Sequence, residues 1–219
     1  MSMGTVRALR ILHRAFSRYP PRDRVHILVR FLTCPFTRIL GEVPAGARVL
    51  EVGSGHAAFS TLLTEERVHE VVAVDPDLRK SLLPSPSTRV KKVAGYDDCI
   101  GGTFGAVVMI DVAYRMPIEM RRAIFGRLFE RLEPGGVFVL KELDVAHPWK
   151  MKWARLQESL CDAFLKHTLG EGFFYQSGPE LQGMLEEIGF VSFTSRRIDR
   201  GYPHAHIVYT ARRPGSAAV

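Results

Sequence analysis

The chain has 219 residues, 46% of them hydrophobic and 24% charged, a balance that suits one cored domain and excludes a disordered chain. No apolar run approaches the roughly 20 residues a membrane-spanning helix needs, and Cys34, Cys99 and Cys161 are too scattered for a disulfide framework or a zinc site, so a reducing compartment, the cytoplasm, is expected. The net charge of +7 lies entirely in residues 1–41, where eight arginines face one acid, Asp23.

Residues 5–18, TVRALRILHRAFSR, read as an amphipathic helix with Arg7, Arg10, Arg14 and Arg18 on one face. YPPRD breaks it, and residues 24–40 resume a helical pattern with a kink or break at Pro35. From residue 47 the rhythm changes. RVLEV, EVVAVD, TRVKKVA, GAVVMID and GVFVLKELD are five strand-like runs, with helical stretches after the first, second and fourth. This alternation predicts an α/β fold with a mostly parallel, doubly wound sheet and helices on both faces. Residues 145–176 interrupt the rhythm and read as a helical insertion over the sheet's C-terminal edge. GPELQGMLEEI is a last helix ended by Gly189. VSFTSRRID and AHIVYTARR close the chain as a hairpin-like pair of strands. The expected organisation is a basic helical segment over 1–41, a main domain over 42–213 and a loose tail over 214–219.

The most informative stretch is VLEVGSGHAAF, residues 49–59. Gly53 and Gly55 fall between the first strand and the first helix of the alternating region, where ligands gather in an open parallel sheet. Glycines there allow a tight turn and close backbone approach. Asp75 ends the second strand and is placed to accept hydrogen bonds from both hydroxyls of a ribose. Together these features point to a ligand containing a nucleoside. A pyrophosphate would be repelled by Glu51, whereas a cationic amino-acid moiety would be welcome.

On these residues the chain resembles the class I S-adenosylmethionine-dependent methyltransferases, small-molecule type. Their acid-x-Gly-x-Gly-x-Gly pattern matches EVGSGHA in all but the last glycine, where Ala57 stands. VVAVDPD, TFGAVVMIDVAYRM and LEPGGVFVLKE resemble their second, fourth and fifth strands, and FFYQSGPELQGMLEEIGF their last helix. The resemblance implies a seven-stranded Rossmann-like sheet, S-adenosylmethionine as cofactor and S-adenosylhomocysteine as product. It implies that Glu51 holds the methionine amino group and that Gly53, Ser54 and Gly55 line methionine and ribose. Asp75 would bind the ribose, Pro76 an adenine face, and either Tyr96 or Asp97 the adenine edge. Asp111 and Val112 would border the sulfonium. Ala57 is expected to be tolerated, as a position that packs helix against strand. Gly105 stands where the family commonly carries an acid, one that does not touch cofactor.

On the acceptor side, Tyr114, Glu142, Asp144 and His147 lie at the right edge of the sheet, and His147 and Tyr114 are the chosen catalytic candidates. PWKMKWARL would line an acceptor pocket through Trp149 and Trp153 or form a lid helix with Lys150 and Lys152 in water. His204 and His206 share one side of a strand but have no third ligand, so no metal is expected. The N-terminal arginines would meet an anionic membrane surface, meet a phosphorylated or nucleic-acid substrate, form a solvated face, or belong to a mitochondrial leader. The expected acceptor is a small or lipid-linked molecule. An RNA or DNA methyltransferase, a Rossmann oxidoreductase and a catalytically silent cofactor-binding module are the alternatives.

Overall fold

Seven strands form one sheet in the order β3-β2-β1-β4-β5-β7-β6 in a computed structural model that describes residues 3–95, 101–144 and 173–215. The strands are β1 Arg48–Val52, β2 Glu70–Asp75, β3 Val90–Ala94, β4 Phe104–Ile110, β5 Leu132–Leu143, β6 Val191–Arg197 and β7 His206–Arg212. β1 to β5 pair in parallel; β7 runs antiparallel to both β5 and β6. The final two strands are thus the expected antiparallel pair. EPGG, residues 133–136, whose Pro-Gly-Gly composition suits a turn, lies within β5 as an irregularity, with Gly135 at φ +78° and the register shifted between Phe104 and Ala106.

The helices are α1 Thr5–Ala15, α2 Pro21–Thr33, α3 Phe36–Ile39, α4 Ala58–Glu66, α5 Leu78–Ser81, α6 Ile118–Arg131 and α7 Gly178–Ile188. α1 ends three residues before the expected boundary, and α2 and α3 are separated at Cys34–Pro35. α7 is fixed at both ends. The Ser177 N–H donates to Glu180 Oε2 at 2.8 Å in a capping box, and Gly189 at φ +112° closes the helix.

Alternate residues of each central strand serve two cores. One core joins Val49, Val108 and Val139 to Ala8, Ile11 and Leu12 of α1, Ile27 and Phe31 of α2, and Phe59 and Leu62 of α4. The other joins Leu50, Val107 and Leu140 to Phe125 and Leu128 of α6 and Leu181 and Leu185 of α7. The basic N-terminal helices therefore share the first core with the main sheet. The chain winds outward from β1 through β2 to β3 and, in the opposite direction, from β4 to β5. The C-terminal ends of β1 and β4 thus flank the point where strand order reverses.

Candidate active site

The turn after β1 is held by its backbone. Gly53 has φ +73° and its N–H donates to Val74 O at 2.8 Å; the Ser54 N–H donates to the same oxygen at 3.0 Å. A Cβ on Gly53 would stand 2.3 Å from Val112 Cγ2, so the glycine is required by both conformation and contact. Gly55, at φ +57°, donates its N–H to Asp75 Oδ2 at 2.7 Å, and a Cβ there would meet nothing within 4 Å. The other Asp75 oxygen accepts the Asp77 N–H at 2.9 Å. Asp75 thus clamps the turn to β2, and each of its oxygens keeps a lone pair for a ligand. Pro76 follows it at an exposed position.

Ala57 is buried at the N-cap of α4 with φ 62°, ψ 36°. The position does more than pack helix on strand: it adopts the left-handed backbone that favours glycine, which explains the glycine in the related pattern. Glu51 is 3% exposed, and its Oε2 accepts hydrogen bonds from the Ser60 N–H at 3.0 Å and from the Ser60 hydroxyl. Burial pushes its carboxyl up to about 7. Ser54 Oγ is buried with no hydrogen-bond partner among the described residues. Open space at Gly55, an orphaned hydroxyl, a buried acid and a second acid at the end of β2 fit a cofactor with a ribose diol and an amino-acid tail.

α2 lies across this turn. His56, inside the glycine motif, turns its Nε2 to Asp23 Oδ1 of α2 at 3.0 Å. One turn from the end of α2, Arg30 Nη1 stands 2.8 Å from Asp111 Oδ2, and its Nη2 donates to Ile110 O at 3.2 Å. Lys141, fully buried on β5, pairs with Asp111 Oδ1. Burial alone would raise the Asp111 carboxyl; Lys141 and Arg30 outweigh it and hold it well below the usual range. Asp111 itself sits at φ +55°. Its carboxylate is therefore engaged by two cations, while the neighbouring Val112 side chain lies against Gly53. The Cys34 thiol, pushed up to about 11 by burial, and His206 complete the cluster. His206 Nε2 lies 2.8 Å from Thr33 O, and burial lowers the imidazole to about 3. His204 precedes β7 and does not share the strand; the two rings are 5.8 Å apart.

On the opposite face, Glu142 Oε1 accepts the Ala113 N–H at 2.9 Å, and Oε2 is buried without a hydrogen-bond partner among the described residues. Ala113, Tyr114, Leu140, Phe174, Tyr175 and Tyr209 line the crevice beside it. Arg121, 2% exposed, donates to Ala113 O at 3.1 Å, to Met116 O at 3.2 Å, and to Phe174 O and Gln176 Oε1. It pins the loop after β4 to the segment before α7. The rings of Tyr114, Phe173 and Tyr175 lie within 10° of parallel, with centroids 5.5–6.1 Å apart. Asp144, another acceptor-side candidate, pairs its Oδ2 with Arg197 Nε at 2.9 Å. Tyr96, Asp97, His147, Trp149, Lys150, Lys152 and Trp153 lie outside the described residues.

Sequence reasoning missed Arg30, Lys141 and Arg121. A lysine inside the apolar run VFVLKEL was the one available signal, since such a residue on a central strand needs a buried partner.

A family model described as "Methyltransferase domain" matches residues 24–193. Among curated protein sequences none matches the chain. Among solved structures the chain is similar to one from Haloferax volcanii held in complex with the Trm112 methyltransferase activator. That pair is 13% identical with a TM-score of 0.69, covering 95% of this chain and 100% of the other. A Thermotoga maritima S-adenosylmethionine-dependent methyltransferase is 15% identical with a TM-score of 0.66, covering 92% and 99%. Phosphoethanolamine N-methyltransferase 2 of Haemonchus contortus, in complex with S-adenosylmethionine, is 13% identical with a TM-score of 0.57, covering 97% of this chain and 53% of the other.

Proposed function

The chain belongs to the class I S-adenosylmethionine-dependent methyltransferases, and from that premise we propose that it methylates a small-molecule or lipid-linked acceptor held beyond β4 and β5. The observation that carries this reading is the aromatic crevice at Ala113, Tyr114, Phe174 and Tyr175, immediately after the Val112 that packs on Gly53. In this reading Glu51 receives the amino group of the cofactor and the Ser54 hydroxyl supplies a polar contact. Asp75 holds the ribose while keeping the turn closed, and Pro76 borders the adenine. The bound cofactor supplies a methyl group on a positively charged sulfur. The protein's task is then to orient the acceptor and exclude water, since alignment in a desolvated site contributes much of the rate in such displacements.

The N-terminal arginines favour a membrane surface over a nucleic acid. Arg7 pairs with Glu66, Arg30 with Asp111, and Arg38 donates to Ile198 O, so part of the basic charge is engaged within the fold. Val25, Leu28, Val29 and Leu32 of α2 are 45–60% exposed on one helix face, the combination of apolar stripe and basic charge that suits an anionic lipid interface.

Calorimetry with S-adenosylhomocysteine and NAD, followed by product profiling with isotope-labelled cofactor in cell extracts, tests the reading. Binding of the former alone, and label in the metabolite or lipid fraction, is expected. Label confined to nucleic acid would overturn the acceptor class.

A further inference from the structure

In the acceptor crevice every donor of Arg121 named above is directed at the chain itself, and one Glu142 oxygen is held by Ala113. Glu142 Oε2 is the polar atom left over, in a side chain nine-tenths buried. A buried acceptor without a partner is costly, so the position calls for a donor. The crevice beside it has a volume of about 20 Å³, room for one water-sized group. Around it stand Tyr114, Phe174, Tyr175 and Tyr209, a wall that suits a flat ring.

We propose that Glu142 Oε2 binds the protic group of the methyl acceptor, a hydroxyl or amine carried on a planar aromatic ring, and takes up its proton during transfer. This rests on the methyltransferase reading of the site. As the acceptor heteroatom forms its bond to the methyl carbon, the carbon–sulfur bond breaks and its electron pair returns to sulfur. The heteroatom's proton passes to the Glu142 carboxylate. The ring of the acceptor lies against Tyr114 and Tyr175, outside the small crevice that admits its polar group. Burial pushes the Glu142 carboxyl up to about 8, so the ionised, proton-accepting form gains population as pH rises through that value.

The test uses the full chain loaded with S-adenosylhomocysteine and three probes of one shape, phenol, aniline and toluene, with binding read by ligand-observed NMR. Glu142→Gln keeps an oxygen for the Ala113 N–H and replaces Oε2 by an amide nitrogen. The wild type should prefer phenol or aniline over toluene by about tenfold, the effect of one hydrogen bond to a buried group. The variant should lose that preference while binding S-adenosylhomocysteine unchanged. Preference for phenol assigns the crevice to hydroxyls, preference for aniline to amines. Equal binding of all three probes, or a preference that survives in the variant, overturns the proposal and leaves the crevice a place for water, with the methyltransferase reading intact. Failure to bind S-adenosylhomocysteine removes that reading and the proposal together.

Discussion

Arg30 of α2 meets Asp111, the residue after β4, at 2.8 Å, and Lys141 reaches the same carboxylate from β5. One buried acid thereby joins the N-terminal helices to the C-terminal ends of β4 and β5. Lys141 is fully buried and depends on Asp111 for charge neutralisation, whereas the Arg30 side chain is about a third exposed and can be solvated.

Asp111→Asn tests that dependence, because asparagine tolerates the left-handed backbone as aspartate does. The variant should lose about 3–5 kcal/mol, the range for a buried charge left without its partner. Adding Lys141→Met should restore much of the loss. Urea unfolding of the two variants checks it, and an Asp111→Asn protein of unchanged stability would show that the ion cluster does not matter for folding.

Asp75→Ala removes the acceptor for two backbone donors, Gly55 N–H and Asp77 N–H. Affinity for S-adenosylhomocysteine should fall by about 1.5–3 kcal/mol, the range for hydrogen bonds to a charged group, and thermal stability should fall with it. Calorimetry and a melting curve on the same sample give both numbers. A stability loss with unaltered affinity would assign Asp75 to the turn alone.

At Ala57, the left-handed backbone costs an alanine about 1–2 kcal/mol. Glycine would relieve that, but would lose a buried methyl worth about 0.8 kcal/mol and add freedom to the unfolded chain. Ala57→Gly should therefore change stability by less than about 1 kcal/mol on these magnitudes, and leave cofactor affinity alone. Ala57→Val, β-branched at the same φ and buried, should be clearly destabilised in denaturant titration.

The Glu142 carboxyl is pushed up to about 8 from an ordinary value of 4.5. Between those values the folded state binds more protons than the unfolded chain, so this group's contribution to stability falls as pH rises through that window. Glu51, pushed up to about 7, acts in the same direction. Relative to wild type, Glu142→Gln should gain stability steadily from pH 5 to pH 8. Parallel pH profiles for the two proteins would contradict the assignment.

If the α2 stripe and Arg10, Arg14 and Arg18 meet lipid, wild-type protein should co-sediment with anionic vesicles at low salt and be released at high salt. Replacement of Leu28 and Leu32 by Gln, and separately of Arg10, Arg14 and Arg18 by Gln, should each weaken sedimentation. Indifference of the wild type to vesicles of every composition rules the surface out.

The sheet was legible because its signals are local. β-branched runs, the glycine pair and Asp75 announce β1, the turn and β2 within 27 residues of sequence, Val49 to Asp75. Gly189 likewise announces the end of α7, whereas the Ser177–Glu180 box at its start was read only from the structure. The ion cluster was not legible, since Arg30, Asp111 and Lys141 lie far apart in the chain and only the packing of α2 on the sheet brings them together. Ala57 was half legible: the motif marked the position, but its left-handed backbone needs coordinates. Among the acceptor-side candidates, Asp144 and Glu142 looked alike as acids at the end of β5. They part only because Arg197 reaches one and Ala113 the other.

Lys141 and Glu142 are adjacent, yet one serves the face under α2 and the other the face under α6, because successive side chains of a strand point to opposite sides. Their assignment is held by the ladders on both sides of β5, in which Lys141 is opposite Ile110 of β4 and Val208 of β7, and Glu142 is opposite Ile207 of β7. A slip of one position would exchange them, setting an acid beside Asp111 and an ammonium among the tyrosines. The two neighbours of β5, β4 and the antiparallel β7, thus keep the polarity of the two compartments the right way round. Insertion of a single residue into β5 ahead of Lys141 should therefore damage the chemistry and the two cores together.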